Sequence, residues 1–430
     1  MKVSKLYFLG TSLVSGLLID DYVDLQSLPS IVHESIIIRS CPQVIQLDSL
    51  THLDGDLIIE NCSQVVEISM QNLKYIQGDL KMSKLTSLVT LNIGKLDHVR
   101  SFQLKILPVL NFMNLNPKMM VDHDLIISDT SLTSIDSNDF DNIRQLDTLV
   151  INNNRFLESF LFNGLQKVSE QLAIHANAKE IEIELNSLVS TRNITIRDTS
   201  SISLQSLEYV HTSLELIENQ FISANLPNLK FIGGTLGIIN NVNLEHVNLN
   251  NLTDISGGLI VSNNDKLRRI NFFSSLKQIG GAIHFEGRFD DISFEKLKLV
   301  KGSAFIKSTS TLLDCQKWIS PMKGKSVVRG GKIECQNAKS MLGSLPINEV
   351  DYKTMFTPNK KETAATYDNH DKYGNNNNDV NNVNDDNSNM KIQFNSSSNT
   401  IYSSEGLMKW STFLPIIFIT SLFLISPILY

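Results

Sequence analysis

The segments NLKYIQGDLKM (72–82), NLKFIGGTLGI (228–238), NLTDISGGLIV (251–261), SLKQIGGAIHF (275–285) and KLKLVKGSAFI (296–306) are copies of one design. Each leads from an apolar anchor through a glycine into two apolar residues in L-x-I spacing. The first apolar residue of every such pair along the chain gives Ile36, Leu57, Leu80, Leu104, Leu125, Leu149, Leu172, Ile194, Leu214, Leu236, Leu259, Ile283 and Ala304, with successive differences of 20 to 24 residues. A helical repeat of that length would hold two runs of period 3.6. Here each unit holds one short alternating run bounded by Gly, Asn or Asp, which is strand chemistry.

The pattern predicts a mainly β chain, a parallel β-solenoid of about 13 coils of 20–24 residues. Alternation sends Leu236 and Ile238 one way and Gly237 and Ile239 the other, so one set fills the interior. Coils stacked at about 4.8 Å would give an array on the order of 60 Å long. Glycines at the strand heads (Gly55, Gly78, Gly234, Gly257, Gly281, Gly302) mark a corner where the backbones approach closely. Asparagines after the strands (Asn61, Asn153, Asn240, Asn263) mark a turn. Pro117 in NFMNLNPKMM (111–120) interrupts the pattern and offers a place for the array to divide into two lobes.

Outward from this body, residues 17–340, the composition changes at both ends. Residues 1–16, MKVSKLYFLGTSLVSG, combine Lys2 and Lys5 with an apolar run from Leu6 and a small residue at Gly16, the order of a signal peptide; a buried first strand is the alternative reading. From residue 341 to 404 the chain is polar, and NNNNDVNNVNDDNSN (375–389) has almost nothing to bury, so it reads as a disordered stalk. Phe413 to Tyr430 carries no charge and is rich in Leu, Ile and Phe. With the small residues Ser403, Ser404 and Gly406 before it, residues 405–430 match the propeptide of a glycosylphosphatidylinositol (GPI) anchor. Ser404 is the first choice of attachment site and Asn399 and Asn395 are the alternatives; a retained single span is the competing reading.

The four cysteines fall into two sequence-local pairs, Cys41 with Cys62 and Cys315 with Cys335, one at each end of the repeats. No C-x-x-C occurs and no histidine neighbours them, so disulfides in an oxidising compartment are favoured over a metal. A net charge of −7 supplies no basic field for nucleic acid. Sequons at Asn61, Asn193, Asn251 and Asn395 are N-glycosylation candidates; Asn193 and Asn251 read as turn positions and are the best two, while Asn61 adjoins a disulfide cysteine and reads as poorly accessible.

Parallel β-solenoids also host polysaccharide-cleaving enzymes, so paired carboxylates were sought. Asp129 in ISDTS and Asp198 in IRDTS hold equivalent strand exits three coils apart, about 14 Å, too far for either glycosidase geometry. Glu215 and Glu218 with Glu286 form a looser set that reads as scattered solvated acids. His123, His175 and His284 lie in or beside strands with no nucleophile motif, and neither G-x-S-x-G nor a phosphate loop occurs. No catalytic residue, cofactor or metal ligand is assigned.

In the segments ITIRDTS (194–200), GGTLGIINNVNLEHVNLNNLTDISGGL (233–259), LKQIGGAIHFEG (276–287), LKLVKGSAFIKSTSTLLDC (297–315) and RGGKIEC (329–335), the chain resembles fungal GPI-anchored cell-wall proteins with leucine-rich, receptor L-domain-like repeats, and among them the yeast sporulation-specific spore-wall branch. The resemblance covers roughly residues 45 to 337. It implies right-handed coils, a lipid-anchored surface glycoprotein without enzymatic activity, and a role in organising the β-glucan layer of the spore wall. Its implied partners are wall polysaccharide or wall-assembly proteins, with the membrane held through the anchor. It also casts Cys315 and Cys335 as carboxyl-terminal cap cysteines. The start departs from the family pattern, whose members look to have a longer, cysteine-bearing leader.

Overall fold

A computed structural model describes residues 5–9, 12–19, 28–136, 138–319 and 326–343. Within the expected leader, Lys5–Leu9 pairs antiparallel with Ser12–Ile19, which in turn lies parallel to Ser35–Ile38. The expected stalk beyond residue 343, the tail, and the sites Asn395, Asn399 and Ser404 lie outside the described residues.

Many coils are built from a short strand, a corner, a longer strand and a third side, while in others, such as Tyr75–Ser83 and His98–Leu107, the two strands run on as one. Phe231–Ile232, Gly233 and Gly234, and Leu236–Ile239 show the order. Both strands add in parallel to their counterparts one coil away. Leu236 is in register with Leu214 on one side and Leu259 on the other. The resulting solenoid of about a dozen coils contains almost no helix. Leu236 and Ile238 are fully buried, whereas Ile239 is part-exposed, as alternation requires. Each interior Leu or Ile removed from water contributes about 1.5–3 kcal/mol, so stacking coils supplies a continuous core that no single coil has.

One register differs from the sequence reading. Phe102, not Leu104, stands opposite Leu80 and Leu125, and Leu104 pairs with Met82 and Ile127. The segment FQLKI holds two overlapping apolar pairs, and burial of the Phe102 ring decides between them; Ile106 is then left at the turn, 42% exposed. A further strand, Ile333–Gln336, extends the array past Ala304 after an excursion that includes the helix Gln316–Ile319. Across residues 110–120 the main ladders run on without a gap, His98–Leu107 pairing with both Met120–Val121 and Asp124–Thr130. What stops there is the third-side ladder, which ends at Phe112–Asn114 and resumes at Ser134–Ile135.

Two corner columns fix the coil. At the first, a Cβ on Gly257 would lie 2.6 Å from the backbone of Gly234, and one on Gly281 would lie 2.7 Å from that of Gly257, so only glycine lets successive corners touch. At the second, the residue after the long strand turns left-handed in coil after coil, from Asn61 (φ 60°) through Asp129 (φ 57°), Asn153 (φ 59°) and Asp198 (φ 58°) to Asn263 (φ 55°). Asn and Asp tolerate this region best among side-chain-bearing residues.

The next residue points inward and builds a buried amide ladder. Asn154, Asn219, Asn241 and Asn264 are fully buried. Asn154 Nδ2 donates to Asn177 Oδ1 at 3.1 Å and to the Ile127 carbonyl at 3.0 Å. Asn219 and Asn241 repeat this toward Asn241 and Asn264. Thr130 and Thr199 cap the two runs, their backbone N–H groups donating to Asn154 and Asn219. The ladder satisfies carbonyls that the turn would otherwise strand inside the core. Cys41 and Cys62 occupy this same position in the first coils, five residues after Ile36 and Leu57, so a disulfide replaces the amides at that end.

Candidate functional site

Asp56 and Asp79, two carboxylates joined by a shared arginine, were not among the sequence candidates. Asp56 stands just before the strand Leu57–Glu60, and Asp79 stands within Tyr75–Ser83 just before Leu80, on the adjacent coil. Asp56 Oδ1 accepts the Asp79 backbone N–H at 2.8 Å, and Arg100 reaches Asp79 Oδ1 at 2.7 Å and Asp56 Oδ1 at 3.4 Å. Lys81 Nζ adds a 2.7 Å contact to Asp79. Burial pushes the Asp79 carboxyl up, but the Arg100 and Lys81 hydrogen bonds outweigh it and hold the group below the usual carboxylate range. A general acid requires the opposite shift. These aspartates form a neutralised network on the wall of an open depression of about 450 Å³, which Glu60, Gln103 and Lys105 also line.

The acids named from sequence are separated as expected. Asp129 and Asp198 sit at left-handed strand exits; Ser128 Oγ donates to Asp129 at 2.6 Å, and Asp198 accepts the Ala176 N–H at 3.3 Å. Glu215 lies mid-strand between Thr195 and Gly237, and burial raises its carboxyl pKa against the opposing pull of Arg197 and Thr195. Glu218 is paired with Arg197, which keeps it low. Glu286, three coils from Glu215 by register, contacts Lys307 at 2.8 Å and His284 at 3.6 Å. Glu215 has the raised pKa of an acid, but its neighbours in register are Thr195 and Gly237, not a second carboxylate.

The histidines form no relay. His123 Nδ1 lies 2.5 Å from one oxygen of Asp147, and Ser169 Oγ donates to the other at 2.5 Å. The carboxylate is central, so the serine proton points at Asp147 rather than at imidazole, the reverse of a nucleophile triad. The serine first and the histidine second depress the Asp147 pKa. His175 is held below its ordinary value by burial and then by Arg197. His284 stacks on Phe305 with centroids 4.9 Å apart. Among the described residues no group of three or more His, Cys, Asp or Glu could hold a metal ion.

About two thirds of the chain matches curated fungal proteins. Sporulation-specific protein 22 of Saccharomyces cerevisiae is 49% identical over 297 residues, covering 69% of this chain and 64% of that protein. Sporulation-specific protein 2 of the same yeast is 44% identical, covering 68% of this chain and 57% of that protein. Cell surface GPI-anchored protein ECM33 of Candida albicans is 35% identical, covering 68% of this chain and 70% of its own length. The chain belongs to this family of fungal cell-surface and cell-wall proteins. It spans about 60% of the length of the two sporulation-specific relatives. No family model matches it, and no solved structure does.

For a member of the cell-wall family, placed by its relatives' names at the cell surface, the ends of the coil body and its sequons matter most. Disulfides join Cys41 to Cys62 and Cys315 to Cys335, each with Cα atoms 5.5 Å apart. Asn251 is exposed in its loop, its Nδ2 donating to the Pro227 carbonyl at 2.6 Å. The other two sequons differ from the sequence reading. Asn61 is exposed in spite of its bonded neighbour, because the left-handed turn buries Cys62 and directs Asn61 outward. Asn193 lies within the strand Ser190–Arg197 and is half-buried beside Gln171, since L-x-x-I-x-G, which signals the corner elsewhere, is absent there.

Proposed function

We propose that this chain is a noncatalytic, GPI-anchored surface glycoprotein that organises the β-glucan layer of the spore wall. The observation that carries the reading is the 49% and 44% identity to two sporulation-specific proteins over 297 and 292 residues. The geometry is consistent with a scaffold: regular rows of outward side chains repeat at the coil spacing, and the adjacent carboxylates Asp56 and Asp79 are held by Arg100 rather than left free for acid–base work. In this reading residues 17–340 form the working surface, 1–16 a leader, 341–404 the stalk, and 405–430 is exchanged for the anchor at Ser404, with Asn399 or Asn395 as alternatives. Glycans on Asn193, Asn251, Asn61 and Asn395 would keep the surface soluble. The partners are β-glucan or the proteins that lay it down.

The test is complementation in sporulating cells lacking the gene. The expected spores have a discontinuous β-glucan layer by glucan staining. It is restored both by the natural protein and by an Asp56→Asn/Asp79→Asn variant present at equal surface level. Restoration by the natural protein alone would favour a glucan-cleaving enzyme.

A further inference from the structure

The third-side ladder is interrupted between His246–Asn248 and Arg269–Ile270. The first strand pairs back to Ser223–Asn225 and the second forward to Asp291–Ile292, and the two do not pair with each other. The cause is local. Phe272 and Phe273 are consecutive yet both buried, with ring centroids 4.6 Å apart, which a strand cannot arrange, so strand geometry ends at Ile270. The main ladders run on through these coils, and on the unpaired third side lies an open cleft of about 670 Å³.

The cleft is cationic on a chain of net charge −7: Lys266, Arg268, Arg269 and Arg288 line it against Glu245 and Asp265. Lys266 is 3.8 Å from Glu245, and Arg268 reaches Asp290 at 2.8 Å while its buried Nε–H has no acceptor. The side chains of Arg269 and Arg288 are exposed and make no hydrogen bond or close ion pair among the described residues, although the charge of Arg288 reaches Asp290.

We infer that this cleft binds an anionic saccharide, its phosphate or carboxylate held by Arg269 and Arg288 and its hydroxyls by the open strand edges. Guanidinium forks suit both anions, and unpaired N–H and C=O groups at a strand edge match hydroxyls that donate and accept. The volume lies in the range of small-molecule sites and far exceeds what a bare anion fills. This site is independent of the β-glucan reading and does not require it.

The test titrates full-length protein, purified in detergent, with glucose 6-phosphate, glucuronate, glucose and inorganic phosphate, by calorimetry at low salt. At least one anionic sugar is expected to bind about tenfold or more tighter than both glucose and inorganic phosphate. Arg269→Ala and Arg288→Ala should each weaken it by about tenfold, while Arg155→Ala, exposed on a distant coil, leaves it unchanged. Both arginines are exposed, so the variants should keep the melting curve of the natural protein. Failure of both anionic sugars to bind, equal affinity for inorganic phosphate or glucose, or binding indifferent to the two arginines would each overturn the inference.

Discussion

Asn241 Oδ1 accepts two hydrogen bonds from Asn219, one from the backbone N–H and one from Nδ2, both at 2.9 Å, in a part of the core with no access to water. Asn241 in turn donates to the Leu216 carbonyl at 2.9 Å. Replacing it by alanine would strand the Asn219 donors and the Leu216 acceptor together. Asn241→Ala is expected to cost about 3 kcal/mol, and Asn241→Asp more, because a buried carboxylate keeps the acceptor but loses both donors. Urea denaturation followed by far-ultraviolet circular dichroism measures both.

Ile106 occupies the left-handed corner at φ 61°, where most other coils place Asn, Asp or another unbranched residue. A β-branched side chain is the worst choice there, and 42% of it is exposed, so little packing offsets the strain. Ile106→Asn should therefore stabilise the protein by about 1 kcal/mol, read as a higher urea midpoint with an unchanged slope.

Two glycines make opposite predictions. At Gly257 an added Cβ would lie 2.6 Å from the Gly234 backbone, which cannot move without opening the corner column. At Gly237 the nearest atom is the end of the Ile239 side chain at 3.5 Å, an ordinary contact. Gly257→Ala should cost about 2 kcal/mol or more, whereas Gly237→Ala should be neutral or stabilising by roughly 0.5 kcal/mol through the unfolded chain. Comparing the two melting temperatures checks the corner assignment.

Charge removal should show opposite pH profiles at two acids. Burial, opposed by Arg197 and Thr195, raises the Glu215 pKa, so its contribution is complete below its unfolded value and lost as pH rises through the folded one. Glu215→Gln should thus be more stable than the natural protein at pH 7, an advantage that fades toward pH 4. Asp147 is depressed, first by Ser169 and then by His123, so its contribution is present above the unfolded value of 3.8 and lost as pH falls through the folded one. Asp147→Asn should be destabilising at pH 7 and converge on the natural protein below about pH 3.8. Stability measured across pH 3–8 distinguishes the two.

The coil body was legible because each L-x-I pair reports a buried strand face, and parallel stacking repeats it at a fixed interval. Where two pairs overlap, as around Phe102 and Leu104, only the volume of the buried ring decides, and spacing alone selects the wrong one. The amide ladder was hidden in plain doublets, Asn153–Asn154, Asn240–Asn241 and Asn263–Asn264: the first member turns the chain, and the second, which reads as part of the same turn, is fully buried. Asp56 and Asp79 are 23 residues apart in sequence, and their adjacency across coils appears only once the register is known. The cationic cleft depends on a pairing that fails to form beside Phe272 and Phe273, which no repeat pattern announces.

The most direct test of the scaffold account is to incubate purified full-length protein with insoluble β-1,3-glucan and measure co-sedimentation and new reducing ends in the same samples. The account predicts that the protein sediments with the glucan while reducing ends stay at the level of glucan alone. Reducing ends that accumulate with time and disappear in the Asp56→Asn/Asp79→Asn variant would contradict it.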